Sequence, residues 1–281
     1  MTAYQTLREH GVRSDKRLGQ HILVDPQTIE RIVDAAELAE TDVVLEVGPG
    51  PGTLTAHLAQ RAARVVAVEL DERMLAPLAE LLGDTENVCV VHGDILEQDV
   101  ADLVGGGAYK VVANLPYYVT SAVLRHVFEA RVRPERLVVT VQREVAERIV
   151  GRPGKGKRRR KQKAAPRMSL LAVSVQFYGA PRIVARIPAG AFRPVPAVDS
   201  AVVRVDLYDP LPWGEVDVRR FFEVARAGFA QSRKQLRNAL MHNLALPAER
   251  VQAGLEAAGI DGRRRAETLC VQEWVSLANA L

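Results

Sequence analysis

Apolar residues follow two rhythms along the chain. Short runs rich in β-branched residues, at 43–47, 64–70, 87–96, 109–113 and 136–142, carry the dense apolar pattern of buried strands. Between them, apolar positions three and four apart predict helices at 27–36, from 53, and at 120–130, 143–150 and 168–178. Asp25 before Pro26 is the expected N-cap of the first of these. The alternation predicts an α/β fold with a doubly wound sheet. Two more strands, 182–187 and 201–207, follow one another so closely that one sheet member should be antiparallel. Beyond residue 210 the rhythm is helical alone, over 216–230, 233–243, 247–258 and 271–280. A boundary at Asp209-Pro-Leu-Pro-Trp213 therefore divides an α/β domain, 1–209, from a smaller all-helical domain, 210–281.

Composition narrows the classes. Of the 281 residues 48% are hydrophobic, yet no apolar run approaches the ~20 residues of a membrane span. Residues 1–10 lack the apolar core of a signal peptide, and Cys89 and Cys270 have no Cys-x-x-Cys spacing, so both are expected to be reduced, packed thiols of a cytoplasmic protein. The net charge of +4 is smaller than the nine Lys and Arg of 151–167, a stretch without an acid, so the rest of the chain is net acidic. That run, an insertion at about 152–167 flanked by Pro153 and Pro166, has no apolar period and should be flexible. Arg226, Arg233, Lys234 and Arg237 form a second basic group. Each is either a nucleic-acid contact or a solvated face. The six histidines show no metal-ligand spacing, and a Gly-x-Ser-x-Gly elbow and a Lys-Ser/Thr phosphate loop are both missing.

The candidate chemistry sits where predicted strands end. Glu46-Val-Gly-Pro-Gly-Pro-Gly-Thr-Leu-Thr55 reads as strand, tight turn and helix, with glycines on alternate positions that let backbone approach a flat ligand. A dinucleotide site prefers Gly-x-Gly-x-x-Gly. The acid ahead of this turn suits a ligand with cationic groups better than one with phosphates. Glu69, about 20 residues on, is placed to accept from both hydroxyls of a ribose, the alternative being a capping or surface glutamate. Asp94 either accepts from an adenine amine or caps the next turn. In Asn114-Leu-Pro-Tyr-Tyr118, Asn114 and Pro116 are expected in a loop leaving the sheet. There the Asn114 side-chain oxygen and a nearby carbonyl can accept both hydrogens of an amino group, and Tyr117 can stack on a base. Pro-x-Pro after Phe192 stiffens a loop able to hold that ring in place. Gly19-Gln-His-Ile-Leu23 reads equally as an ordinary connector.

Together with Gly93-Asp94 and Phe192-Arg-Pro-Val-Pro-Ala-Val-Asp-Ser-Ala-Val, these pieces resemble the rRNA adenine N6-dimethyltransferases. Phe229-Ala-Gln-Ser-Arg-Lys-Gln-Leu-Arg-Asn-Ala-Leu240 is more similar to the small-subunit branch than to the Erm resistance methylases. The resemblance covers nearly the whole chain. It implies a Rossmann-like class I methyltransferase sheet and S-adenosylmethionine as donor, held at Gln20, His21, Leu23, Gly48, Gly50, Glu69, Leu70, Asp94, Ile95 and Asn114. It also implies the substrate, two adjacent adenines in the 3′-terminal hairpin of 16S rRNA, each dimethylated at N6 within the pre-30S particle. Asn114, Leu115, Pro116, Tyr117 and Phe192 would then surround the target base, with Tyr117 stacking one face and Phe192 closing the other side. On their charge, Lys155, Lys157, Arg158, Arg159, Arg160, Arg233, Lys234 and Arg237 would hold RNA. A monomer without metal is expected. The basic insertion departs from the family's short turn, so the resemblance says nothing of its role. Three rivals are an Erm-type enzyme acting on 23S rRNA, an assembly factor that works by docking, and a nicotinamide oxidoreductase. The last is disfavoured by the glycine spacing and the lack of a candidate acid or base for hydride transfer.

Overall fold

A computed structural model describes residues 3–12, 20–153 and 167–281. Its strands are β1 (Ile22–Leu23), β2 (Val43–Val47), β3 (Arg64–Glu69), β4 (Val88–His92), β5 (Lys110–Asn114), β6 (Arg136–Gln142), β7 (Gly179–Ile187), β8 (Phe192–Arg193) and β9 (Ser200–Leu207). Seven form one sheet in the order β4-β3-β2-β5-β6-β9-β7. The pairs β3–β4, β2–β3, β2–β5 and β5–β6 are parallel, and β9 lies antiparallel to β6, the expected exception.

Four of the dense apolar runs, β2, β3, β5 and β6, are strands buried on both faces, as parallel sheets require. Val44, Val65, Val112, Val138 and Val202 share a core cluster with Ile29, Ile32, Val33 and Ala36, the apolar stripe of the helix Pro26–Ala36. Asp25 caps that helix, its carboxylate accepting the Thr28 N–H at 3.1 Å. β4 is at the sheet edge, and there one sequence expectation fails: Cys89 is an exposed thiol rather than a packed one.

Two further differences bear on the site. The connector at Gly19–Leu23 contains β1, which pairs antiparallel with β8 through Ile22 with Arg193 and Leu23 with Phe192. Asn114 does not begin a loop but closes β5, its backbone opposite Thr140 of β6.

The strand starts and the strand ends of the sheet differ in charge. At the starts, Lys110 holds Asp42 at 2.6 Å, and Arg136 and Arg204 hold Glu37 and Asp206 at 2.5–2.9 Å. The Arg204 hydrogen bond, aided by Arg136, brings the Glu37 carboxyl down to about 2.

The chain clusters into two compact units, Met1–Ala146 with Pro181–Leu207, and Glu147–Ala180 with Tyr208–Leu281. One of the three crossings falls near Asp209, where the sequence places its boundary. The described residues of 147–180, which the alternation groups with the sheet, cluster with the helices, where aromatic rings pack together. Phe177, at the end of the helix Leu170–Tyr178, stacks on Phe221 of the helix Val218–Phe229 at 4.2 Å, and Tyr178 on Phe222 at 5.8 Å. In the same unit Gly228 lets the fully buried Trp274 close in: an added Cβ would collide with the indole and meet Leu236 at 3.1 Å. Gly228→Ala should therefore lower stability by about 1–3 kcal/mol through overpacking. Denaturant midpoints of variant and parent measure it, and equal midpoints would show that the indole yields freely.

Candidate active site

Parallel pairing brings the carboxyl ends of β2, β3 and β5 side by side, and a cavity of about 320 Å³ opens over them, lined in part by residues 20–23. Open α/β sheets bind ligands at this place. All the residues assigned to the donor from the sequence, Gln20, His21, Leu23, Gly48, Gly50, Glu69, Leu70, Asp94, Ile95 and Asn114, line the cavity, as do Leu115, Pro116 and Tyr117.

The glycine turn is shaped by its backbone. Gly50 has φ of 57° with nothing within 4 Å of a notional Cβ, so conformation rather than crowding calls for glycine. At Gly52, with φ of 93°, a Cβ would also strike Leu78 at 2.7 Å. The turn is tied to β3 through Glu69, whose Oε2 accepts the Gly50 N–H at 2.9 Å while Oε1 accepts the Asp71 N–H at 2.8 Å. Burial raises the Glu69 carboxyl pKa, against the pull of these two bonds. Asp94 caps the turn that follows it, Oδ1 accepting the Leu96 N–H at 2.9 Å, and it also lines the cavity, so both of its readings are compatible with the geometry.

Glu46 is the outlier. It is 1% exposed, lines the cavity, and its Oε2 has no hydrogen-bond partner among the described residues. Burial, with the neighbouring Glu69 charge adding to it, pushes its carboxyl up to about 8, against a lowering pull from Thr55.

The target side is laced by residues 20–23. Asn114 donates Nδ2–H to the His21 carbonyl at 3.0 Å, which fixes the amide and leaves Oδ1 as an acceptor. His21 Nδ1 lies 2.8 Å from the Pro194 carbonyl; a carbonyl can only accept, so Nδ1 carries the proton. The Tyr117 hydroxyl is 2.8 Å from Ser200 Oγ, and its half-buried ring lies 5.5 Å from the His21 ring.

Phe192 departs from its expected place. It is wholly buried in the cluster of Ile29, Val112 and Val202 and is not among the cavity residues. Pairing with Leu23 turns its ring into the core and Arg193 outward, so no ring face is left for a base. Sequence reasoning missed Asp71, which is 8% exposed and bound by Gln20 Nε2 at 2.7 Å and by Arg73 Nε at 2.8 Å. Its position ahead of Glu72-Arg-Met74, as the N-cap of a short turn, was the available signal. Arg233, Lys234 and Arg237 are exposed in the helical unit and are in no ion pair among the described residues. Lys155, Lys157, Arg158, Arg159 and Arg160 lie outside the described residues.

Comparison with known proteins adds to the geometry. The family model for ribosomal RNA adenine dimethylase matches residues 11–281. Ribosomal RNA small subunit methyltransferase A of Dehalococcoides mccartyi is 44% identical over 276 residues, covering 98% of this chain and 91% of that protein. Among solved structures, the 23S rRNA methyltransferase ErmE superposes with a TM-score of 0.70 at 28% identity, over 92% of this chain and 99% of that one. A dimethyladenosine transferase from Plasmodium falciparum gives 0.74 at 23%, over 92% and 96%, a likeness of fold.

The raised Glu46 carboxyl has a thermodynamic consequence. Between about 4.5 and about 8 the folded chain holds a proton there that the unfolded chain has lost, so stability falls as pH rises through that window. Glu69, shifted in the same direction, adds to the slope. Unfolding at pH 5, 6.5 and 8 should show a shallower decline for Glu46→Gln than for the parent; parallel declines would mean that Glu46 is ionised throughout.

Proposed function

Because the chain belongs to the ribosomal RNA adenine dimethylase family, we propose that it dimethylates N6 of two adjacent adenines in the 3′-terminal hairpin of 16S rRNA. We further propose that it acts as a cytoplasmic monomer on the pre-30S particle. The chain is an rRNA methyltransferase that uses S-adenosylmethionine. The observation that carries the small-subunit reading is 44% identity across 98% of the chain to a small-subunit methyltransferase, against 28% to the 23S enzyme ErmE.

The cavity fits the donor. S-adenosylmethionine carries a sulfonium and an ammonium, and Glu46 offers a buried oxygen that has no partner among the described residues. When bound, it supplies an electrophilic methyl group. Glu69 has each carboxylate oxygen oriented by one backbone N–H, so a further lone pair on each is available to ribose hydroxyls. Asp94 keeps Oδ2 available for an adenine amine.

The target amine is a poor nucleophile because its lone pair is delocalised into the ring. Asn114 Oδ1 and the Leu115 carbonyl, accepting both N–H groups, would favour a pyramidal nitrogen with its lone pair localised. Tyr117 stacks the base, which reaches the cavity from a single strand or after flipping out of its helix. Such alignment can supply ~7–11 kcal/mol in favourable cases. No general base is assigned, since the alkylated nitrogen is acidic and loses its proton readily. Arg233, Lys234 and Arg237 hold phosphates, as do Lys155, Lys157, Arg158, Arg159 and Arg160, assigned on charge alone.

Labelled methyl transfer to unmethylated small-subunit particles, compared with large-subunit RNA, tests the substrate. Dimethyladenosine should form in the former only, and label in large-subunit RNA would favour the Erm-type reading. Asn114→Ala should lower turnover on the order of 100-fold or more while RNA affinity persists; near-parental methylation would remove Asn114 from the mechanism. Replacing Arg233, Lys234 and Arg237 together by Ala should reduce the salt slope of RNA binding by about 2. An unchanged slope would leave these cations as a solvated face.

A further inference from the structure

Tyr117 is gripped from outside the cavity. Its hydroxyl lies 2.8 Å from Ser200 Oγ, and Ser200 is fully buried at the start of β9 and absent from the cavity lining. Ser200 is itself held on both sides. Its backbone sits opposite Gln142 of β6, and the preceding Asp199 accepts the Arg143 N–H on its carbonyl at 3.0 Å and the Ala189 N–H on its carboxylate at 3.2 Å. The other end of the tyrosine is fixed as well, because Thr120 donates to the Pro116 and Tyr117 carbonyls at 3.3–3.4 Å. The phenol oxygen lies on the axis of the second side-chain torsion, so a hydrogen bond at the tip to a rigid partner holds the first torsion directly and favours one ring plane because a phenol's hydrogen-bonding directions lie close to its ring plane.

We propose that Ser200 is a positioning residue for methyl transfer, setting through the Tyr117 hydroxyl the plane on which the target adenine stacks. The hydroxyl is thereby committed to orientation rather than to proton transfer. This rests on the reading that Tyr117 carries the base. It separates the target geometry from donor affinity, since Ser200 does not reach the cavity.

A double-mutant cycle tests it, with Ser200→Ala, Tyr117→Phe and the pair, each assayed on small-subunit particles. Each single change should lower kcat about 3–10-fold, the loss of one hydrogen bond, with the donor Kd from calorimetry unchanged. The pair should be no worse than the worse single, because both delete the same bond, and Ser200→Thr should recover most of the loss. Multiplying losses, a changed donor Kd or a parental kcat for Tyr117→Phe would each overturn the proposal. If Ser200→Ala fails to fold, Tyr117→Phe decides, removing the bond from the other end. Tyr117→Ala separates the two levels: an active Tyr117→Ala refutes the stacking role itself. An inactive Tyr117→Ala beside parental Tyr117→Phe and Ser200→Ala refutes only the brace.

Discussion

Among the described residues the sheet leaves two buried carboxylates without a cation at one end and holds three acids in ion pairs at the other. Glu37, Asp42 and Asp206, where the parallel strands start, are matched by Arg136, Arg204 and Lys110. Glu46 and Glu69, where those strands end, are buried and have no ion pair among the described residues. An ionised carboxylate in such surroundings is expensive unless a positive charge accompanies it. Both groups respond by holding their protons more tightly. A cavity built this way attracts a cationic ligand on energetic grounds, and the glycine turn gives that ligand room to approach backbone.

One strap lines part of the same cavity. β1 is only two residues long, yet its pairing with β8 positions the His21 carbonyl on the Asn114 amide and the His21 imidazole on the Pro194 carbonyl. The Val24 N–H adds a bond to the Ala191 carbonyl at 2.9 Å. Residues on the donor side and residues on the target side therefore share a support, and Phe192 anchors it by filling the core beneath. A ring that the sequence places against the substrate instead contributes by burial, a role equally demanding of an aromatic side chain.

The large features were legible because they are dictated by periodicity. Strands buried on both faces must be apolar throughout, so β2, β3, β5 and β6 could be read to within a residue or so, and the ends of β2, β3 and β5 located the cavity. What escaped has no period to show. Two residues cannot display alternation, which hid β1 and β8. Asn114 is a poor strand former by composition, but backbone pairing at the last position of a strand makes no demand on the side chain. The apolar run of β4 signalled a strand without revealing that it is an edge, and so Cys89 was misplaced. Asp71 with Gln20, and Tyr117 with Ser200, meet across 51 and 83 residues of chain, and only the folded sheet brings them together.

The acceptor pair proposed for the adenine amine carries a constraint on the second transfer. An unmodified amine has two N–H groups, one for Asn114 Oδ1 and one for the Leu115 carbonyl. After one methylation a single N–H remains, and one acceptor is idle. Asn114 cannot turn its amide to compensate, because Nδ2 is committed to the His21 carbonyl. Hydrogen bonding alone thus orients the nitrogen less firmly in the second round than in the first. The plane of the base must then be kept by stacking, and a tyrosine held at its hydroxyl by Ser200 and at its backbone carbonyl by Thr120 supports that plane independently of how many hydrogens the nitrogen still has.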